Sequence, residues 1–62
     1  MAIANEVVVD YAYPCMMAEK ALKDLHQAML RGDVDAALEH ALAAMAEAKL
    51  TYNAIRAAKE KQ

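Results

Sequence analysis

The chain has 62 residues, enough for one small domain that buries too little surface to be comfortably stable alone. Its net charge of −2 argues against general nucleic-acid binding, which draws its affinity from an excess of basic residues. The single cysteine, Cys15, excludes an intramolecular disulfide, and no Cys/His spacing resembles a zinc site. Oligomerisation or partner binding remains as the source of the missing stability.

The sequence also indicates a compartment. No apolar run is long enough to cross a bilayer, and the first residues lack the basic segment and apolar core of a signal peptide. We therefore expect a cytoplasmic protein with a reduced cysteine.

Residues 1–13 form the first predicted segment, an arm. Its stretch from Glu6 to Tyr13 is rich in β-branched and aromatic residues, which favour an extended conformation. Tyr13 precedes a proline, and this also disfavours a helical backbone. The sequence predicts an extended arm, with a short extra helix or a tail as the alternatives.

The next predicted segment is a helix over 14–31, because Pro14 suits a first helical turn. At about 100° per residue, its apolar residues fall on one side. The side expected to face the second helix holds Met17, Ala18, Ala21, Leu22, Leu25, Ala28 and Met29. Met16 and Leu30 fall on the polar side, where they could form a second contact surface.

A turn is predicted at residues 32–33. Gly32, the only glycine, fits the left-handed position that ends a helix. Asp33 fits the N-cap of the next helix, and Asp35 suits its first turn. Arg31-Gly32-Asp33 is therefore better explained as a stop, a turn and a cap than as an adhesion motif.

The second helix is predicted over 34–60 and is apolar nearly all round. The stripe expected to face the first helix holds Val34, Ala37, Leu38, Ala41, Met45, Ala48, Tyr52 and Ile55. A further apolar face is centred on Leu42, Ala46 and Leu50. Because one helix can cover only one side, we expect this further face to mediate self-association. The predicted fold is thus an all-α antiparallel hairpin with an extended N-terminal arm, dimerising into a four-helix bundle or a higher oligomer.

Pairing the helices about Gly32 places residue i near residue 65 minus i, and the second helix then overhangs the first. This register brings Tyr11 and Tyr13 toward Tyr52, with Arg56 and Lys20 on nearby turns. Tyrosine with arginine is typical of protein-binding hot spots and also suits stacking on a base beside a phosphate. The alternative is that the tyrosines only seal a small core.

No constellation indicates catalysis, a cofactor or a metal. His26 and His40 come within reach across the turn, with Glu39 and Glu19 as conceivable neighbours, but their spacing matches no metal motif. Cys15 has no histidine near it to act as a base, so a buried small apolar residue is the preferred interpretation. We expect a non-enzymatic protein.

Two resemblances bear on the class of protein. The run from Gly32 to Ala48, about a quarter of the chain, looks like the turn and second helix of a tetratricopeptide repeat. One hairpin cannot form a solenoid, so this indicates generic hairpin chemistry. As a whole, the small hairpin resembles phage-encoded accessory and counter-defence proteins in size and style, which implies no residue roles.

Three functions are compatible with these patterns. The first is an oligomer that binds and blocks or modulates a partner macromolecule, such as a phage inhibitor of a host system. Its affinity would come from Met16, Leu30, the tyrosine end and the N-terminal arm. The second is an oligomeric sponge that sequesters a small anionic ligand, such as a nucleotide signal, between protomers. Its pocket would use Tyr11, Tyr13, Tyr52, Arg56 and Lys20. The third is a structural bundle component without a ligand.

Overall fold

The computed structural model describes residues 2–60, with side chains from residue 11 onward. Two helices form an antiparallel hairpin: α1 spans Ala2–Arg31 and α2 spans Val34–Glu60. The Cα atoms of the hairpin extend over 46 × 17 × 9 Å. The hairpin is therefore one helix layer thick, and the predicted helical hairpin is confirmed for the described residues.

The turn has the chemistry that its sequence predicts. Gly32 adopts a positive φ of 77°, and its N–H donates to the carbonyl of Met29 at 3.0 Å, while that of Asp33 donates to Ala28 at 2.9 Å. This pair of hydrogen bonds is the Schellman motif. Asp33 then caps α2, because its Oδ1 accepts from the N–H of Ala36 at 3.1 Å.

The capping role of Asp33 can be tested by substitution. Asp33→Ala leaves the N–H of Ala36 without its side-chain acceptor, so we expect the free energy of unfolding to fall by about 0.5–2 kcal/mol. Urea denaturation followed by circular dichroism measures this change. Asp33→Asn, which keeps a capping oxygen, is the matched control and should lie close to the wild type. An equal loss in both variants would contradict a capping role.

The N-terminal arm is the clearest correction. Residues 2–13 belong to α1, which continues through Pro14 as an interior residue. The extended conformation predicted for 1–13 is therefore wrong over residues 2–13, and the helix does not begin at Pro14. Strand-forming residues lower helix propensity by only tenths of a kcal/mol each, and packing overrides such a preference.

Helix length corrects a second expectation. At about 1.5 Å per residue, α1 is roughly 45 Å long and α2 roughly 40 Å. The two helices are nearly equal because α1 has 30 residues and α2 has 27. The predicted overhang of α2 therefore does not exist, and the tyrosine end needs no separate arm to cover it.

Small residues line the contact between the helices. The four buried hydrophobic residues of the described chain are Ala21, Ala28, Ala37 and Ala44, and Pro14 is buried with them. We call these five residues the alanine seam. Opposed members, such as Ala28 with Ala37 and Ala21 with Ala44, fit the predicted register of i with 65 minus i. Alanine lets the helices approach closely, but it buries little apolar area.

The predicted inner faces are only partly correct. On α1, Ala21 and Ala28 are buried, whereas Leu22 and Met29 are exposed. On α2, Ala37 is buried, but the large members of the predicted stripe are exposed. These exposed residues are Val34, Leu38, Met45, Tyr52 and Ile55. The contact surface of α2 is rotated about the helix axis relative to the prediction, so that Ala37 stays at the seam, Ala44 joins it, and Leu38 and Met45 lie beside it.

Candidate interaction surfaces

The alanine seam divides the hairpin into two faces, and the first of them is polar. Its groove is lined from α1 by Met17, Lys20 and Asp24, and from α2 by His40 and Glu47. Lys20 Nζ lies 2.8 Å from Asp24 Oδ2. Two charged residues of this face, Lys20 and Asp24, are therefore already paired on the same helix.

Asp24 shows the electrostatic state of the polar groove. The hydrogen bond from Lys20 is the main reason why the pKa of the Asp24 carboxyl lies below its ordinary value. Partial desolvation opposes this, and the electrostatic influence of the neighbouring basic side chains, with Lys20 the largest contributor, reinforces it. Asp24 is thus an ionised ion-pair partner at neutral pH, without the raised pKa that a general acid needs.

The opposite face of the hairpin is apolar. Helical periodicity places on it the side chains that flank the seam away from the polar groove. We call this surface the apolar face. Its members on α1 are Cys15, Ala18, Leu22, Leu25 and Met29. Its members on α2 are Val34, Leu38, Ala41, Met45, Ala48, Tyr52 and Ile55. None of these residues is charged.

The large side chains of the apolar face are uncovered. Seven of them are more than half exposed, from 51% for Met29 to 68% for Met45. Monomeric soluble proteins rarely expose so extended an apolar surface, and such surfaces mark interaction sites. Sequence reasoning missed this face. On each helix the residues of the apolar face recur every three or four positions, which is a recognisable pattern, but they were assigned to the contact between α1 and α2.

The surface predicted for self-association lies elsewhere. Leu42 and Leu50 are 65% and 54% exposed, and Ala46 is exposed between them. These three residues, the outer ridge, lie on the side of α2 remote from α1. Met16 and Leu30 are likewise exposed on the outside of α1, at 64% and 69%. All five residues are thus exposed, and the binding and self-association roles predicted for them stay predictions.

The residues predicted for a ligand or partner site do not form one cluster. Tyr52 belongs to the apolar face, Lys20 to the polar groove, and Tyr13 is 70% exposed. Tyr11 is half-buried. A groove at the end of α2 is lined by Tyr52, Arg56, Lys59 and Glu60.

The two cations of that predicted site are already paired. Arg56 Nη2 lies 3.3 Å from Glu60 Oε2, as Lys20 lies beside Asp24. An anionic ligand would have to compete with both carboxylates, so this arrangement gives the sponge function little support.

The histidines and the cysteine are separate features. His26 is exposed on α1 and His40 is half-buried in the polar groove. Within the described part of the chain, no three His, Cys, Asp or Glu residues are arranged to hold a metal ion. Cys15 is a free thiol and is half-buried rather than buried.

Neither described helix combines the length and apolarity that a membrane span requires. No protein-family model, no curated protein and no solved structure matches the chain.

Proposed function

We propose that this chain is a non-enzymatic, self-associating helical protein that binds a partner protein in the cytoplasm and blocks or modulates it. The observation that carries the proposal is the exposure of large apolar side chains on more than one surface of a single helix layer. The apolar face and the outer residues Met16, Leu30, Leu42 and Leu50 give room for two different contacts. One contact would serve assembly and the other would bind the partner.

Helix packing is the expected mode of binding. The exposed side chains are leucine and methionine on regular helices, which dock into the grooves of other helices. Methionine adapts its shape to irregular partner surfaces. A small chain that occupies such a groove excludes the natural partner of that groove. This mechanism suits an inhibitor, and we extend the proposal to a phage-encoded inhibitor of a host system.

A comparative capture experiment tests the proposal. The tagged chain is used as bait in host lysate beside Met16→Lys, Leu30→Lys, which charges the outside of α1 and leaves the apolar face intact. We expect a specific protein to bind the wild type and to be lost from the double variant. Circular dichroism checks that both baits are equally helical. The absence of any protein that distinguishes the two baits would contradict partner binding through this surface.

The alternative proposal is an oligomeric sponge for a small anionic ligand. Its support is the groove of Tyr52, Arg56 and Lys59, where an aromatic ring lies beside two cations. The pairing of Arg56 with Glu60 makes it the weaker of the two proposals.

A further inference from the structure

Over residues 11–60, whose side chains the structure describes, the hairpin has no large side chain in its core. Every buried hydrophobic residue of the described chain is an alanine, and no larger side chain is fully buried. Globular domains contain at least two packed layers around a core, whereas this hairpin is a single layer of helices whose Cα atoms extend over only 9 Å in the thin direction. The apolar face therefore requires a second layer that the single chain does not supply.

The exposed area of the whole chain is compatible with a second layer of about the same size as the hairpin. The chain exposes 5026 Å². A compact monomer of the same mass exposes roughly 4,000 Å² by the size scaling of folded proteins. The excess of about 1,000 Å² is close to the roughly 800 Å² that each partner buries in a standard interface. One copy of similar size, docked on one face, would remove it.

The spacing of the residues on the apolar face indicates what kind of molecule forms the second layer. On α1 its members recur at residues 15, 18, 22, 25 and 29, and on α2 at 34, 38, 41, 45, 48, 52 and 55. Steps of three and four residues are the spacing of coiled-coil and four-helix-bundle contacts. Both helices carry this second stripe beside the alanine seam, as each helix of a four-helix bundle must.

Size and charge make the face complementary to itself. Large side chains alternate with small ones, as with Leu38, Ala41, Met45 and Ala48 along α2, so facing copies can interdigitate. No member is charged, so a twofold axis brings no like charges together across the face. A surface with these properties can pack against the same surface of a second copy of the chain.

We propose that a second copy of the chain covers the apolar face and forms a four-helix bundle, with Leu22, Leu38 and Met45 near the centre of the interface. This inference rests on the self-association named in the proposed function and specifies its surface. It replaces the outer ridge of Leu42, Ala46 and Leu50 as the dimer contact. The ridge then stays on the outside of the bundle, where a partner can reach it.

The unmodified chain offers the first test. Met16, Met29 and Met45 are 64%, 51% and 68% exposed in the single hairpin, so a monomer should oxidise at all three at similar rates. In the proposed dimer Met29 and Met45 are covered and Met16 is not. We expect peroxide to oxidise Met29 and Met45 several-fold more slowly than Met16, as measured by peptide mass spectrometry. Equal rates at the three sites at micromolar concentration would overturn the proposal.

A pair of double variants gives the second test. Leu38→Glu, Met45→Glu places charges in the apolar face, and Leu42→Glu, Leu50→Glu places the same charges on the outer ridge. We expect sedimentation equilibrium to give the mass of two chains for the wild type and the ridge variant, and of one chain for the face variant. A monomeric wild type, or a dimer that only the ridge variant disrupts, would refute the proposed interface.

The two proposals fail in different ways. A dimeric chain with protected Met29 and Met45 that captures no specific protein would leave the interface established and contradict partner binding. A monomeric chain that captures a specific protein through Met16 and Leu30 would do the reverse. Should the face variant lose its helicity, the oxidation rates of the wild type still decide the question.

Discussion

Ala28→Leu is expected to destabilise the hairpin by about 1–3 kcal/mol, the usual cost of overpacking a well-packed contact. Ala28 is 0% exposed and lies in the alanine seam, one turn before Gly32. A leucine there has no space unless α1 and α2 move apart. Such a movement would also strain the short turn between them, because only Gly32 and Asp33 separate the two helices.

Urea denaturation at a fixed protein concentration measures this loss, since association makes the apparent stability depend on concentration. Ala46→Leu is the matched control, because Ala46 is exposed on the outer ridge and the same enlargement meets no neighbouring helix. We expect the control to stay within about 0.5 kcal/mol of the wild type. Equal stability of Ala28→Leu and the wild type would mean that the alanine seam is not the contact between the helices.

The turn and the register could be predicted because local chemistry determines them. Gly32 is the one residue able to take a positive φ without strain, and Asp33 carries a capping oxygen. Two helices joined by so short a turn commonly pack as an antiparallel hairpin, and the pairing of residue i with 65 minus i then follows from the centre of the turn. The buried pair Ala28 and Ala37 agrees with that register.

The rotation of α2 could not be predicted from its sequence. The helix is apolar around most of its circumference, so periodicity identifies several possible inner faces. The prediction turned the larger residues Leu38 and Met45 toward α1. In the structure, the small residues Ala37 and Ala44 face α1, and the larger ones flank the contact. Which arrangement has the lower free energy depends on what covers the apolar face, and a single chain does not contain that information.

The candidate site was affected by the same ambiguity. Residues that share a level in the register, such as Tyr13 and Tyr52, were expected to meet at one end of the hairpin. Helix rotation places Tyr52 on the apolar face, and a helical Tyr13 is 70% exposed. The turn thus determines which residues of the two helices lie at the same height along the hairpin. Which of these residues meet on one face depends in addition on the rotation of each helix about its axis.

The start of α1 was mispredicted because its local signals conflict with its context. A proline and the β-branched residues before it favour a break at Pro14. The structure instead keeps Pro14 inside the helix and buries it in the alanine seam. An interior proline lacks the N–H that would bond the carbonyl of Asp10, and its ring crowds that carbonyl. The continuity of α1 therefore has a free-energy cost that one substitution can remove.

Pro14→Ala is accordingly expected to stabilise the protein, by up to about 3 kcal/mol, the difference in helix propensity between the two residues. The alanine restores the N–H donor to Asp10 and suits the other small residues of the seam. Urea denaturation and the helical signal in circular dichroism measure the effect. Met16→Ala, at an exposed position on the next turn, is the control and should change the stability by less than about 0.5 kcal/mol.

Whether Pro14→Ala raises or lowers the free energy of unfolding distinguishes a continuous α1 from a helix that begins at Pro14 after an extended arm. At the first position of a helix proline is favourable, so an α1 that began at Pro14 would lose stability on substitution by alanine. Inside a continuous helix proline is unfavourable, so the same substitution adds stability and leaves the helical signal equal or larger. A loss of stability would therefore contradict the continuous α1 and restore the extended arm. A gain would establish that residues before Pro14 lengthen the helix and bring its length close to that of α2.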